Sequence, residues 1–304
     1  MRAVLVAETG GPEVLRLQET EAPKPGDGEV LIEVHAASVN PIDWKYRRGL
    51  APKQLPAVLG SDVSGTVARS RAQGFAEGDD VFGLAASGAY AELARARAGV
   101  IAPKPAGLSH EQAAALPVAG LTAWQALFDR GGLRRGQSAL IAGGAGGVGH
   151  LAVQFAKCAG AQVIATGSSR NRDFVLGLGA DRFLDYTQEE PAALAGSVDL
   201  AFDTVGGETT EGLLPAVREG GALVTIAGAP PEQAAGERGV RAELLIMSPS
   251  SEQLQEVARL VAAGEVHVEI AQRIPLADVA RAHELSESGH VRGKIVITVA
   301  GGDG

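Results

Sequence analysis

Gly143, Gly146 and Gly149 stand at three-residue spacing in the stretch 138–149, SALIAGGAGGVG. The apolar residues 138–142 read as a short buried strand, and 150–158 (HLAVQFAKC) continues with helical spacing. A strand, a tight glycine turn and a helix start together make a device for cradling phosphate. The first glycine permits the sharp turn, the second lets backbone amides approach a pyrophosphate, and the third lets helix and strand pack closely. Gly147 and Val148 complete the turn. The anion then rests on the positive end of the helix dipole. The expected ligand is a dinucleotide.

The second strand of such a unit, expected at 162–166, decides which dinucleotide. NAD proteins usually place an Asp or Glu there, roughly 20 residues past the glycines, for the ribose hydroxyls. Here the strand is followed by Gly167, Ser168, Ser169, Arg170, Asn171 and Arg172, with two arginines and no acid. An arginine fork suits a 2′-phosphate, which a carboxylate would repel. The absent acid after Gly167, with Arg170 and Arg172 in its place, therefore points to NADPH.

No metal is expected. The chain has a single cysteine, Cys158, which rules out an intramolecular disulfide and the Cys-rich zinc patterns. The six histidines, at 35, 110, 150, 267, 283 and 290, are scattered singly. Cys158 lies in the helix after the glycine turn and is expected to be buried filler.

The 304 residues suffice for two domains, and 45% hydrophobic with 21% charged residues suits a globular protein. A formal net charge of −9 argues against nucleic-acid or anionic-membrane partners, which need a basic surface. The opening MRAVLVAET lacks a basic-then-apolar leader, and no apolar run approaches the ~20 residues of a membrane span, so a cytoplasmic protein is expected.

The elements that must position these residues fall into two groups. Short strands at 3–7, 15–18, 30–36, 63–68, 80–82 and 90–93, separated by glycines, suggest a small barrel or rolled sheet over 1–110. Ser109 and Gln112 form a capping-box start for a helix running to 116, with another helix at 121–129. From 138 strands and helices alternate: strands at 138–142, 162–166, 198–203 and 222–227, helices at 147–159, 171–178 and 208–218. This is the rhythm of a parallel sheet wound on both faces. A strand near 242–247, helices at 252–263 and 277–286, and a strand at 294–299 close the chain before a GGDG tail expected to fray. The terminal strand is expected to return to the N-terminal region.

Motifs along nearly the whole chain carry a family likeness: VNPIDWKYRRG at 39–49, PAVLGSDVSGTV at 56–67, GDDVFG at 78–83 and GAYAEL at 88–93. LPVAGLTAWQAL at 116–127, GADRFLDY at 179–186, FDTVGG at 202–207 and GHVRGKIVITV at 289–299 extend it. The sequence resembles the zinc-independent quinone oxidoreductase branch of the medium-chain dehydrogenase/reductase superfamily. The resemblance implies an α/β fold: a GroES-like β-barrel domain from 1–110 and 248–304, a Rossmann doubly wound parallel-sheet domain over 111–247, and a homodimer. Zinc-dependent relatives carry a Gly-His-Glu segment where this chain has Gly60, Ser61 and Asp62.

By the same resemblance Asn40 and Thr122 approach the nicotinamide side of the cofactor, and Val205, Ala227 and Gly228 line its ribose and ring. Ser168 and Tyr186 stand where relatives hold the 2′-phosphate, with Asn171 in place of a common lysine. Lys45 and Tyr46 are the family-placed proton donors, Tyr46 being offset by one position. Asp43 and Asp62 are expected to organise hydrogen bonds beneath the site, and Tyr90 to lie in the core. The implied activity is hydride transfer from NADPH to a quinone. Reduction of α,β-unsaturated carbonyls or enoyl thioesters is the close alternative, and a non-catalytic NADPH-binding protein a further one.

Overall fold

The computed structural model describes residues 1–299, so the expected fraying of the GGDG tail lies outside the described residues. The chain divides into two compact units, residues 1–121 with 249–263 and the segment from Val268, and residues 122–248 with 264–267.

The first unit is built on alternating apolar positions that give its strands a buried face. Its long strand Glu29–Val39 pairs antiparallel with Asp62–Ser70, Leu93–Arg97 and Lys294–Thr298. Asp80–Leu84 and Ile101–Pro103 extend the sheet on one side and Ile270–Pro275 on the other. Val34, Val63, Val67, Val81, Tyr90, Ile295 and Ile297 meet in one buried core. The terminal strand does return, with Ile295 opposite Val39 and Ile297 opposite Ala37. A helix follows the long strand directly. Pro41–Arg47 follows Asn40, whose backbone N–H donates to Asp43 Oδ2 at 2.9 Å. Proline in the first turn and a carboxylate three residues past the cap are favourable there.

The helix His110–Ala114 packs on Glu29–Val39 and Asp62–Ser70, which draws residues 111–121 into the first unit, not the second. The next helix starts earlier than expected, at Pro117, runs to Trp124 and continues as a π-helical segment Gln125–Arg130.

The second unit carries a six-stranded parallel sheet. Across the sheet the strands run Arg182–Asp185, Gln162–Gly167, Ser138–Ala142, Val198–Asp203, Val217–Thr225 and Arg241–Leu244. Numbered along the chain this order is 3-2-1-4-5-6, the doubly wound arrangement that binds dinucleotides where the order reverses. Arg182–Asp185 was not expected as a strand. The helix anticipated over 208–218 stops at Leu213, because Pro215 opens the 3-10 turn Leu214–Ala216 and Val217 already begins a strand. Cys158, expected to be buried, is exposed at the end of the helix Gly149–Cys158, which is buried from Gly149 to Ala156 and emerges only in its last turn. Among the described residues no helix is long and apolar enough to cross a membrane.

Candidate functional site

The glycine turn begins where Ser138–Ala142, the innermost strand before the order reverses, ends. Gly143 has φ +73°, a left-handed conformation that a side chain would disfavour, and its carbonyl accepts from Gly146 N at 2.9 Å. A Cβ on Gly149 would fall 2.1 Å from that same carbonyl oxygen. The helix therefore starts hard against the turn, and of its first amides His150 N donates back to Gly146 O at 3.0 Å. A Cβ on Gly146 would meet only Gly143 O, at 3.3 Å, so this corner is open to a ligand. His150 Nδ1 donates to Gly146 O at 2.9 Å and Thr166 Oγ1 accepts from Gly143 N at 3.3 Å, fixing the loop from both flanks. The cradle fits a pyrophosphate.

The neighbouring strand ends at Gly167, paired with Asp185. Ser168 caps a short 3-10 turn, and Asn171 Nδ2 lies 3.5 Å from its hydroxyl. Arg170 and Arg172 are exposed here, with the Arg172 guanidinium over the Phe183 ring at 5.5 Å. Tyr186 is exposed, and its backbone N–H donates to Gly167 O at 3.3 Å. The nearby Asp185 carboxylate is occupied by the Thr187 backbone and hydroxyl and by Gln188, and these hydrogen bonds hold its pKa below the usual carboxylate value. The half-buried Ser168 and the exposed Arg170, Arg172 and Tyr186 thus lie beyond the ends of the adjacent strands Gln162–Gly167 and Arg182–Asp185.

On the other side of the glycine turn, Asp203 ends its strand fully buried. Its Oδ1 accepts from Val205 N at 2.9 Å and Gly206 N at 3.0 Å, and its Oδ2 from Thr210 at 2.5 Å and Thr225 at 3.0 Å. This carboxylate, which the sequence reading passed over inside FDTVGG, shapes the turn that exposes Val205. Thr225 Oγ1 also accepts from Ala227 N at 3.2 Å, so Val205, Ala227 and Gly228 stand in two turns braced through Asp203 and Thr225. Thr122 lies within Pro117–Trp124 and is buried, not at a helix start.

In the first unit a buried polar cluster surrounds Asn40. Asn40 Nδ2 donates to Asp62 Oδ2 at 2.7 Å and its Oδ1 accepts from Lys294 Nζ at 2.6 Å. Asp62 also accepts from Ser38 Oγ at 2.6 Å and Val118 N at 2.9 Å. Asp43 takes the Ser61 hydroxyl at 3.1 Å and the Tyr90 hydroxyl at 3.2 Å. Burial, with the Asp62 charge adding to it, pushes the Asp43 carboxyl up to about 6 against the pull of the Asn40 N–H and Lys294. Burial lowers the Lys294 ammonium and raises the Tyr90 phenol. Asp43 and Asp62 organise hydrogen bonds as expected, and Tyr90 is core. Lys294 carried no signal beyond its place in GHVRGKIVITV, because its partner lies at the far end of the sequence.

Lys45 and Tyr46 follow Asp43 on the same helix, both half-buried. Lys45 Nζ lies 5.8 Å from the Trp44 ring centroid, and Lys53 Nζ lies 5.3 Å from that of Tyr46. Neither side chain has a hydrogen-bond partner among the described residues. Among the described residues no group of three or more His, Cys, Asp or Glu is gathered for a metal.

Residues 26–106 match the alcohol dehydrogenase GroES-like domain, and 178–297 match the zinc-binding dehydrogenase family. A chloroplast envelope quinone oxidoreductase homolog of Arabidopsis thaliana is 35% identical over 95% of each chain. The chloroplastic NADPH-dependent alkenal/one oxidoreductase of that plant is 32% identical over 98% of this chain and 79% of its own. Among solved structures, the quinone oxidoreductase of Coxiella burnetii superposes with a TM-score of 0.93 at 38% identity, covering 98% and 99% of the two chains. The Escherichia coli quinone oxidoreductase complexed with NADPH gives 0.90 at 29%, covering 98% and 100%. With both family domains, the nucleotide fold and full-length likeness in place, the chain belongs to the zinc-independent quinone oxidoreductase branch of the medium-chain dehydrogenase/reductase superfamily.

Proposed function

We propose that this oxidoreductase takes NADPH and reduces quinones. The observation that carries the cofactor half is the end of Gln162–Gly167, where Ser168, Arg170, Arg172 and Tyr186 gather beside the glycine cradle. Arg170 and Arg172, with the hydroxyls of Ser168 and Tyr186, hold the 2′-phosphate, a charge-assisted arrangement. The turn from Gly143 through Gly146, Gly147, Val148 and Gly149 takes the pyrophosphate, and Gly167 lets the adenosine approach the strand end. Asn40, Thr122, Val205, Ala227 and Gly228 are assigned to the nicotinamide and its ribose. NADPH, when bound, supplies the hydride. The chain's own work is to orient the reacting groups and exclude water.

Quinone reduction also consumes a proton. Lys45 and Tyr46 are the groups assigned to hold it, as acids or as donors to the developing oxyanion. Replacing Tyr46 by Phe and Lys45 by Met should each lower kcat about 100-fold if that residue is the acid. A solvent proton source would leave both variants near wild type.

The quinone assignment is supported by the likeness to proteins named quinone oxidoreductase. The relative named for alkenals and alkenones favours a second reading, hydride addition to an activated alkene. NADPH oxidation against quinones, 2-alkenals and enoyl thioesters separates the two, and turnover of the alkenes alone would replace the first reading by the second. The family likeness also suggests a homodimer, which sedimentation equilibrium of the purified chain tests.

A further inference from the structure

A buried asparagine can present either end of its amide, and its neighbours decide which. A carboxylate only accepts hydrogen bonds and an ammonium only donates them. Asn40 lies between one of each: Nδ2 is 2.7 Å from Asp62 Oδ2, and Oδ1 is 2.6 Å from Lys294 Nζ. Turning the amide over would set N–H against ammonium and oxygen against carboxylate. The placement is built into the sheet. Ile295 pairs with Val39, so Lys294 faces Asn40 across adjacent antiparallel strands, and its Nζ also reaches Val39 O at 3.4 Å.

Lys294 is 3% exposed and lies 3.7 Å from Asp62, which is fully buried. A buried ammonium is costly, and an apolar side chain before Ile295, Val296 and Ile297 would serve strand packing with less desolvation. The cost is intelligible if the charge fixes something. Asp62 has no freedom to compensate, being tied to Ser38 and Val118 N. Nδ2 of Asn40 carries two hydrogens, and among the described residues only Asp62 accepts from it.

We propose that Lys294 is a positioning residue that locks the Asn40 amide with its nitrogen toward Asp62, leaving the second Nδ2 hydrogen to a carbonyl oxygen of the nicotinamide carboxamide or the acceptor. The inference rests on Asn40 belonging to the nicotinamide site.

A double-mutant cycle tests it, with Asn40→Ala, Lys294→Met and the pair, each read by NADPH affinity without acceptor and by kcat and KM with NADPH and 1,4-benzoquinone. Lys294→Met should lose about 10- to 100-fold in kcat/KM in the presence of Asn40, as a misplaced site group does, and less than about 3-fold further in the Asn40→Ala background. Lys294→Gln, which keeps an N–H for Asn40 Oδ1, should recover most of that loss. If Lys294→Met does not fold, Asp62→Asn with Lys294→Met removes the charge pair as a unit and replaces it in the cycle. Weakened NADPH affinity assigns the hydrogen to the carboxamide, and a raised KM for quinone at unchanged affinity assigns it to the acceptor. Equal losses in both backgrounds, or none, would overturn the role of Lys294 while leaving Asn40 in place. An Asn40→Ala protein with wild-type affinity and turnover would overturn the Asn40 assignment itself, and the inference with it.

Discussion

A Cβ on Gly149 would lie 2.1 Å from the carbonyl oxygen of Gly143, so the helix start and the turn before it occupy nearly the same space. Backbone supplies both sides of this contact, and neither can move aside as a side-chain tip could. Gly149→Ala should therefore lose about 3 kcal/mol of folding stability, the upper part of the range for overpacking. Gly146→Ala meets Gly143 O only at 3.3 Å. It should keep a near-native melting temperature while weakening NADPH about 10-fold. Thermal unfolding beside cofactor titration checks the split, and equal melting losses in both variants would contradict it.

Asp203 accepts hydrogen bonds from Val205 N, Gly206 N, Thr210 and Thr225 while fully buried. Asp203→Ala strands two backbone donors and should cost about 3 kcal/mol in urea unfolding. Asp203→Asn should cost only about 1 kcal/mol, because its N–H groups can face the two threonine hydroxyls, which also accept. Indistinguishable stabilities of the two variants would show that the carboxylate's acceptors are not what braces the turn.

His283 is fully buried, and among the described residues neither ring nitrogen has a hydrogen-bond partner; the ring lies edge-on to Tyr90 at 5.6 Å. Burial, reinforced by the Arg47 charge, pushes its pKa from 6.5 down to about 3. As pH falls below about 6.5, the unfolded chain takes up a proton that the folded chain refuses until about pH 3, so stability drops across that window. His110, lowered by burial and the stacked His35 to about 4, acts in the same direction. Asp43, raised to about 6, opposes them: its contribution is full below about pH 3.8 and is lost as pH rises to about 6. Replacing His283 by Leu removes one term alone. It should flatten the decline in unfolding free energy between pH 6 and pH 4, and a curve parallel to wild type would contradict the assignment.

If catalysis needs no zinc, prolonged dialysis against a strong chelator should leave turnover within experimental error. Activity lost to the chelator and restored by zinc would contradict this.

The nucleotide half was legible because its signals are local. An apolar strand, three spaced glycines and a helical apolar face lie within about 20 residues, and each survives as read. The helix Pro41–Arg47 was passed over, although Asn40, Pro41 and Asp43 make a recognisable start, because the strands around it dominate the pattern. Arg182–Asp185 escaped because four residues with charged ends show no alternation, and the burial that makes them a strand comes from Gln162–Gly167 beside them. Cys158 misled because helix membership alone does not say which face a residue occupies. The Asn40 cluster could be suspected only in part. Asp43 and Asp62 lie in a motif-rich region, but Lys294 arrives from 254 residues away, where no spacing rule connects it.

The measurement that bears most directly on the assignment is the affinity of NADPH and NADH for wild type and for the protein with Arg170 and Arg172 both changed to Ala. Two charge-assisted contacts to a phosphate account for a loss of about 100-fold in NADPH affinity, with NADH changed less than about 3-fold. Equal weakening of the two cofactors would contradict the account, since the arginines would then serve the fold or the shared part of the dinucleotide and not the 2′-phosphate.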